Sequence, residues 1–196
     1  MPDITVARQD IFPTTLWSFD LTFLQQHFPL WLNAAGQWRA AQPQPAGGSM
    51  RLGWNSAPTL FEQPVFAPLH EAAQACFGQA LQEMQLPGAV RFRLEAWLEV
   101  HGQGGFNMPH VHANRLLTGC FYLQVPQQSG PLLFRDPRPA VTLGQVAGRG
   151  ANGGGLTAAQ PGAGQLLVFP NWLEQQLEPH ADPAPRIAIG INAVAA

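Results

Sequence analysis

Beyond residue 88 the chain is a succession of short apolar runs punctuated by Gly and Pro, and this rhythm restricts the fold more than any other feature. The run AVRFRLEAWLEV, residues 89–100, places Val90, Phe92, Leu94, Ala96 and Leu98 on one face and Arg91, Arg93, Glu95, Trp97 and Glu99 on the other. That is the period of an extended strand. LLTGCFYLQVP and GPLLFRDP follow, parted by the turn-like QQSG, and GQLLVFPNWL and RIAIGINAV close the chain as two final strands. Between them, residues 139–163 hold seven Gly and almost no large apolar residue, which predicts a long mobile loop whose Gly-rich part, 144–155, either closes over a substrate or is a disordered insertion.

The first half is different. Residues 69–86, LHEAAQACFGQALQEMQL, set Leu69, Ala73, Cys76, Phe77, Ala80, Leu81 and Met84 at helical spacing, with Pro68 at the start and Pro87-Gly88 after the end. This predicts a helix laid over one sheet. Residues 21–38 are helical in part and broken at Pro29, residues 40–50 form a loop leading to GWNS and a second loop, and Pro13 suits the stretch IFPTTLWSFDL to an edge strand. One helix ahead of many short strands points to an antiparallel barrel or sandwich with helices packed outside.

Composition narrows the function. The chain is 46% apolar and only 11% charged, with a formal net charge of -2, and all ten of its basic residues are Arg, scattered apart from Arg91/Arg93 and Arg135/Arg138. A basic stripe for phosphate backbones is absent, so no nucleic-acid partner is expected. No apolar stretch is long enough to span a membrane. The two cysteines, Cys76 and Cys120, make no disulfide framework and read as small core side chains. We expect one soluble, cytoplasmic domain over residues 1–196, with N-terminal strands and packing helices in 1–88 and a β core in 89–196. The sequence leaves open whether the chain forms a homo-oligomer.

Four of the six histidines stand alone, while His110 and His112 are spaced i, i+2 after the Gly-rich turn GQGGFNMP. On an extended strand that spacing puts both imidazoles on one face, where they either converge on a metal or serve as hydrogen-bonded strand residues.

The wider pattern distinguishes these two uses. NMPHVHANRLLTGCFYLQVPQQSGPLLFRDPRP at 107–139, GQLLVFPNWLEQQLEP at 164–179 and RIAIGIN at 186–192, with IFPTTLW at 11–17, GWNS at 53–56 and the Trp97 strand ahead of them, resemble a bacterial family of 2-oxoglutarate/iron(II) oxygenases. The resemblance implies a distorted double-stranded β-helix, a cupin-like jelly roll, mainly β with flanking helices. It implies iron(II) held by His110, His112 and a third residue from the strand after FPNWL, and 2-oxoglutarate gripped by Arg186, whose planar two-donor fork matches a carboxylate. Tyr122 and Cys120 share the inward parity of their strand, Asn107 and Asn114 flank the His pair where they would hydrogen-bond substrate or orient an imidazole, and Asn107 and Asn192 are expected at the cosubstrate.

Two positions depart from the family. Counting eleven residues back from Arg186, the third-ligand position is Gln175, a neutral oxygen donor better suited to hard cations. Position 188 is Ala, where relatives carry a hydroxyl that helps hold the same carboxylate. His180, Glu174 and Glu178 are the substitutes considered; His180 reads first as a solvent histidine in the Pro-flanked loop EPHADPAP and is the first alternative ligand, and Glu174 should alternate to the face opposite Gln175. Asp136-Pro137-Arg138 reads as a turn with an internal charge pair. The expected activity is oxidation, chiefly hydroxylation, of a small molecule or peptide. The alternatives are a non-catalytic binding module that keeps the fold, and a cupin-type metalloenzyme that needs no 2-oxo acid.

Overall fold

The computed structural model describes residues 5, 7, 9–86, 90–143 and 155–196. In chain order these form β1 (Trp17–Asp20), α1 (Phe28–Ala41), β2 (Met50–Asn55), α2 (Ala67–Glu83), β3 (Phe92–His110), β4 (Leu117–Gln124), β5 (Leu132–Arg135), α3 (Pro139–Leu143), β6 (Leu156–Ala159), β7 (Gln165–Pro170), β8 (Gln175–Leu177) and β9 (Arg186–Ala195). The strands make one sheet in the order β1-β7-β4-β9-β3-β8-β5-β6, with β2 added to β3, and every strand pair is antiparallel. The sheet curls into the half-barrel of a double-stranded β-helix.

Strand β3 makes the curl. Its first part pairs with β9 from Phe92↔Ala195 to His101↔Arg186, its second part pairs with β8 at Asn107 and His110, and β2 pairs with both parts, so one strand serves both walls. Between the two parts lies GQGG, where a turn was expected; the strand runs through it instead. Gly104 takes φ +80°, and a Cβ on Gly105 would meet the carbonyls of Gly102 and Leu52 at 2.9 Å. Glycine lets the strand bend without ending.

Alternation then builds two cores. Leu94, Ala96, Leu98 and Val100 of β3, Phe121 and Leu123 of β4, and Ile187, Ile189, Ile191 and Ala193 of β9 pack outward with Trp31, Phe66 and the α2 face Leu69, Ala73, Cys76, Phe77, Ala80 and Leu81. Burying a large side chain here is worth about 1.5–3 kcal/mol. Helix α2 sits close because position 119 is Gly: a Cβ there would meet the Leu167 carbonyl at 2.7 Å and the tip of Phe77 at 3.0 Å. Inside the curl, Tyr122, Leu132, Phe134, Leu167, Phe169, Leu173 and Ala188 form a second cluster.

Other expectations from the sequence are corrected or completed by the structure. Pro29 begins α1 instead of breaking it, because in the first turn its missing N–H leaves no bond unmade. GWNS, to which the pattern assigned no element, falls mostly in a strand: residues 53–55 belong to β2, whose period is hidden by Leu52 at φ 52° and the register shift beside it. The stretch read as one long loop contains α3 and the edge strand β6, which adds backbone hydrogen bonds to β5 while its four, mostly exposed side chains give no period. Cys76 lies in the core as expected, and Cys120 packs against the inner cluster and lines the inner cavity, as its strand parity suggested. Of the Gly-rich segment 144–155, only Gly155 falls within the described residues. Strand β1 holds the sheet edge, as the proline ahead of it suggested. No described helix is long and apolar enough to cross a membrane.

Candidate metal and cosubstrate site

His110 ends β3 and lies directly across from Gln175 of β8. His112 falls just past the strand, yet its backbone is clamped: its N–H donates to the Asn171 carbonyl at 3.0 Å, and Asn171 Nδ2 donates to the His112 carbonyl at 3.2 Å. The two rings face a common point with centroids 5.1 Å apart, and Gln175 Nε2 stands 2.9 Å from His112 Nε2 and 3.4 Å from His110 Nε2. His110 Nδ1 meets the Met108 carbonyl at 2.7 Å, which assigns its proton to Nδ1 and leaves Nε2 with a lone pair aimed into the site. The Gln175 amide, placed from this network, donates to the same lone pairs that a cation would take.

Electrostatics favour a neutral His112. Burial, reinforced by the charge of His110 and partly opposed by Glu99, pushes its pKa down to about 4. A neutral imidazole is the form that ligates a metal. Trp97 stacks on His112 with centroids 5.7 Å apart, and it lies flat there because residue 190 is Gly; a Cβ at that position would sit 2.2 Å from the indole.

The same cavity reaches Arg186. Heading β9, this residue is 3% exposed; one guanidinium nitrogen donates to the Gly130 carbonyl at 2.9 Å, and Cζ lies 5.0 Å from the centre of the Tyr122 ring. Its Nε, the Tyr122 hydroxyl and Asn192 Oδ1 are buried without a hydrogen-bond partner among the described residues. Tyr122 is fully buried, which holds its hydroxyl protonated and a donor. A buried hydroxyl donor and a guanidinium whose Nε–H is free, with no ion-pair partner among the described residues, fit the carboxylate of a small dianion. Asn192 Oδ1 faces His112 outside hydrogen-bond geometry. Burial also lifts the Cys120 thiol to about 12, so it stays protonated in the cavity wall.

The remaining sequence candidates are placed as follows. Asn107 lines the cavity and binds His101 Nε2 through Oδ1 at 2.6 Å. His180 is fully buried, neither exposed nor in the cavity; its Nε2 meets the Ala184 carbonyl at 2.6 Å, and its Nδ1 is buried without a hydrogen-bond partner among the described residues. Glu174 pairs with Arg135 and points away from Gln175, Glu178 is exposed, and Asp136 pairs with Arg138 at 2.7 Å within its turn. The structure adds residues that sequence reasoning did not single out: Ser49, whose Oγ is 3.4 Å from His110 Nε2, and Trp97, Glu99 and Gly190. Strand parity with Arg186 across β3 and β9 was the available signal for the last three.

Comparisons with known proteins give the same fold. A Pseudomonas putida prolyl-4-hydroxylase superposes with TM-score 0.68 at 14% identity, covering 93% of this chain and 94% of that one. A prolyl hydroxylase from Trichoplax adhaerens, in complex with a hypoxia inducible factor peptide fragment, gives TM-score 0.61 at 14% identity over 92% of this chain and 83% of its own. HygX from Streptomyces hygroscopicus, with nickel, 2-oxoglutarate and hygromycin B bound, gives 0.63 at 11% over 93% and 83%. No curated protein matches the chain. Residues 95–192, half of the sequence, match the family model described as "Putative 2OG-Fe(II) oxygenase" and take in every cavity-lining residue named above. The chain therefore belongs to the 2OG-Fe(II) oxygenase family.

Proposed function

We propose that the protein is an iron(II)- and 2-oxoglutarate-dependent oxygenase acting on a small molecule or a peptide. The observation that carries this is the meeting, in one cavity, of two imidazole lone pairs with a buried guanidinium that has no ion-pair partner among the described residues. His110, His112 and Gln175 would hold the metal, the amide turning its oxygen inward, and Arg186 with Tyr122 would hold the distal carboxylate. Bound there, iron(II) would supply Lewis-acidic and redox chemistry for the oxidation of a substrate by dioxygen, coupled to conversion of 2-oxoglutarate to succinate and carbon dioxide.

The chain's own contribution is positional. Met108 fixes the tautomer of His110, Trp97 and Asn171 hold His112 in place, and the apolar wall of Leu132 and Leu177 excludes water along the cosubstrate path. Relatives of the same fold bind a peptide in one case and hygromycin B in another, which supports the substrate range without choosing within it.

The test is an anaerobic titration of the protein with iron(II) and 2-oxoglutarate, followed by admission of oxygen. A visible charge-transfer band and then succinate release are expected. Absence of both contradicts the proposal. Gln175 favours a second reading, a pocket that binds the chelate without turning it over, and a band with no succinate would select it.

A further inference from the structure

Glu99 is the only carboxylate among the described residues that line the cavity. Its inward aim follows from the strand: Leu98 and Val100 are buried on the helix side, so Trp97 and Glu99 face the other way. Trp97 Nε1 donates to Glu99 Oε1 at 2.9 Å, and the same indole stacks on His112. Across the sheet Glu99 pairs with Ala188, which pairs with Tyr122, while the adjoining row joins His101 to Arg186. The carboxylate thus stands between the imidazole end and the guanidinium end.

A divalent ion held by two neutral imidazoles and an amide keeps both of its charges, whereas the usual set of two His and one carboxylate removes one. We propose that Glu99 supplies this negative charge from the cavity wall, stabilising a divalent cation at His110, His112 and Gln175 without being a direct ligand. The described residues contain no three-membered cage of His, Cys, Asp or Glu, so the carboxylate acts across a gap. The inference rests on the metal site proposed above and adds a residue that sets its cation affinity.

The test is equilibrium binding of Co(II) and Mn(II), without oxygen or 2-oxo acid, to the wild-type chain and to Glu99→Gln, His110→Ala and the double variant Glu99→Gln/Gln175→Glu. Glutamine keeps the acceptor for Trp97, and urea unfolding checks that the fold is kept. Glu99→Gln should bind about tenfold or more weakly, and the double variant, with the charge restored at the ligand position, should recover. Affinity of Glu99→Gln within about twofold of wild type, or a double variant no tighter than Glu99→Gln, overturns the assignment. Failure of the wild type to bind, or equal binding by His110→Ala, would instead overturn the metal site itself.

Discussion

Replacing Arg186 by Met separates a residue kept for stability from one kept for a ligand. Arg186 is 3% exposed and its charge is met by one carbonyl, at 2.9 Å, and by the face of Tyr122, 5.0 Å away. Burying a cation costs several kcal/mol in a protein interior. One hydrogen bond from a charged donor returns about 1.5–3 kcal/mol, and a cation over an aromatic face about 1–2 kcal/mol. The ligand-free protein therefore gains little or nothing from this charge. Methionine follows the arginine side chain as far as Nε and offers an apolar, adaptable surface beside the Leu132 and Leu177 cavity wall with no charge to desolvate, while the Gly130 carbonyl loses its donor. Arg186→Met should leave stability without ligand unchanged or raise it by up to about 2 kcal/mol, as when other buried charges are replaced by apolar groups. Urea unfolding measures this directly. In the presence of Mn(II) and 2-oxoglutarate the wild type should gain about 2.7 kcal/mol at a hundredfold excess over Kd, and the variant almost none. A variant that loses more than about 2 kcal/mol without ligand, yet still responds to 2-oxoglutarate, would make Arg186 a structural residue and refute the reasoning.

Gln175→His puts a third imidazole opposite His110 and should tighten binding of divalent metal by about tenfold or more; equal metal affinity in calorimetry would count against Gln175 as the third member of the site. Gly190→Ala drives a Cβ to 2.2 Å from the Trp97 ring, so we expect a loss of about 1–3 kcal/mol in urea unfolding and a shifted tryptophan emission; a neutral variant would mean that the indole is free to move. His101 has its pKa held below the ordinary value, chiefly by burial. The unfolded chain therefore takes up a proton near pH 6.5 that the native protein refuses, and stability should fall as pH drops below that point. His101→Gln should flatten this acid limb in unfolding experiments between about pH 7 and pH 5, and an unchanged slope would remove His101 as a contributor.

Which elements could be read from the sequence depends on which side chains enter a core. Helix α2 and the outward faces of β3, β4 and β9 were legible because Leu69, Phe77, Leu98, Phe121 and Ile189 all enter one core, and burial imposes a period. Strand β2 and strand β6 were not, since a left-handed Leu52 breaks the first pattern and the second is an exposed edge held by backbone bonds. At the site, the i, i+2 spacing of His110 and His112 and the Arg at the head of β9 were visible as local features. Glu99 and Trp97 were visible only as the less apolar face of a strand. That face turns inward because β3 bends at its glycines and brings β8 over β9, a long-range event with no local signature. His180 shows the converse: proline-flanked polar surroundings suggested a solvent residue, whereas its backbone pairs with Gly104 and Gly105 and draws the ring inside.

Metal analysis of protein purified without chelators and then loaded anaerobically with iron(II) goes most directly to the role of the two imidazoles. One equivalent of tightly held iron in the wild type, lost in both His110→Ala and His112→Ala while their urea midpoints stay near that of the wild type, is the expected result. Iron retained by either variant, or none held by the wild type, would contradict it.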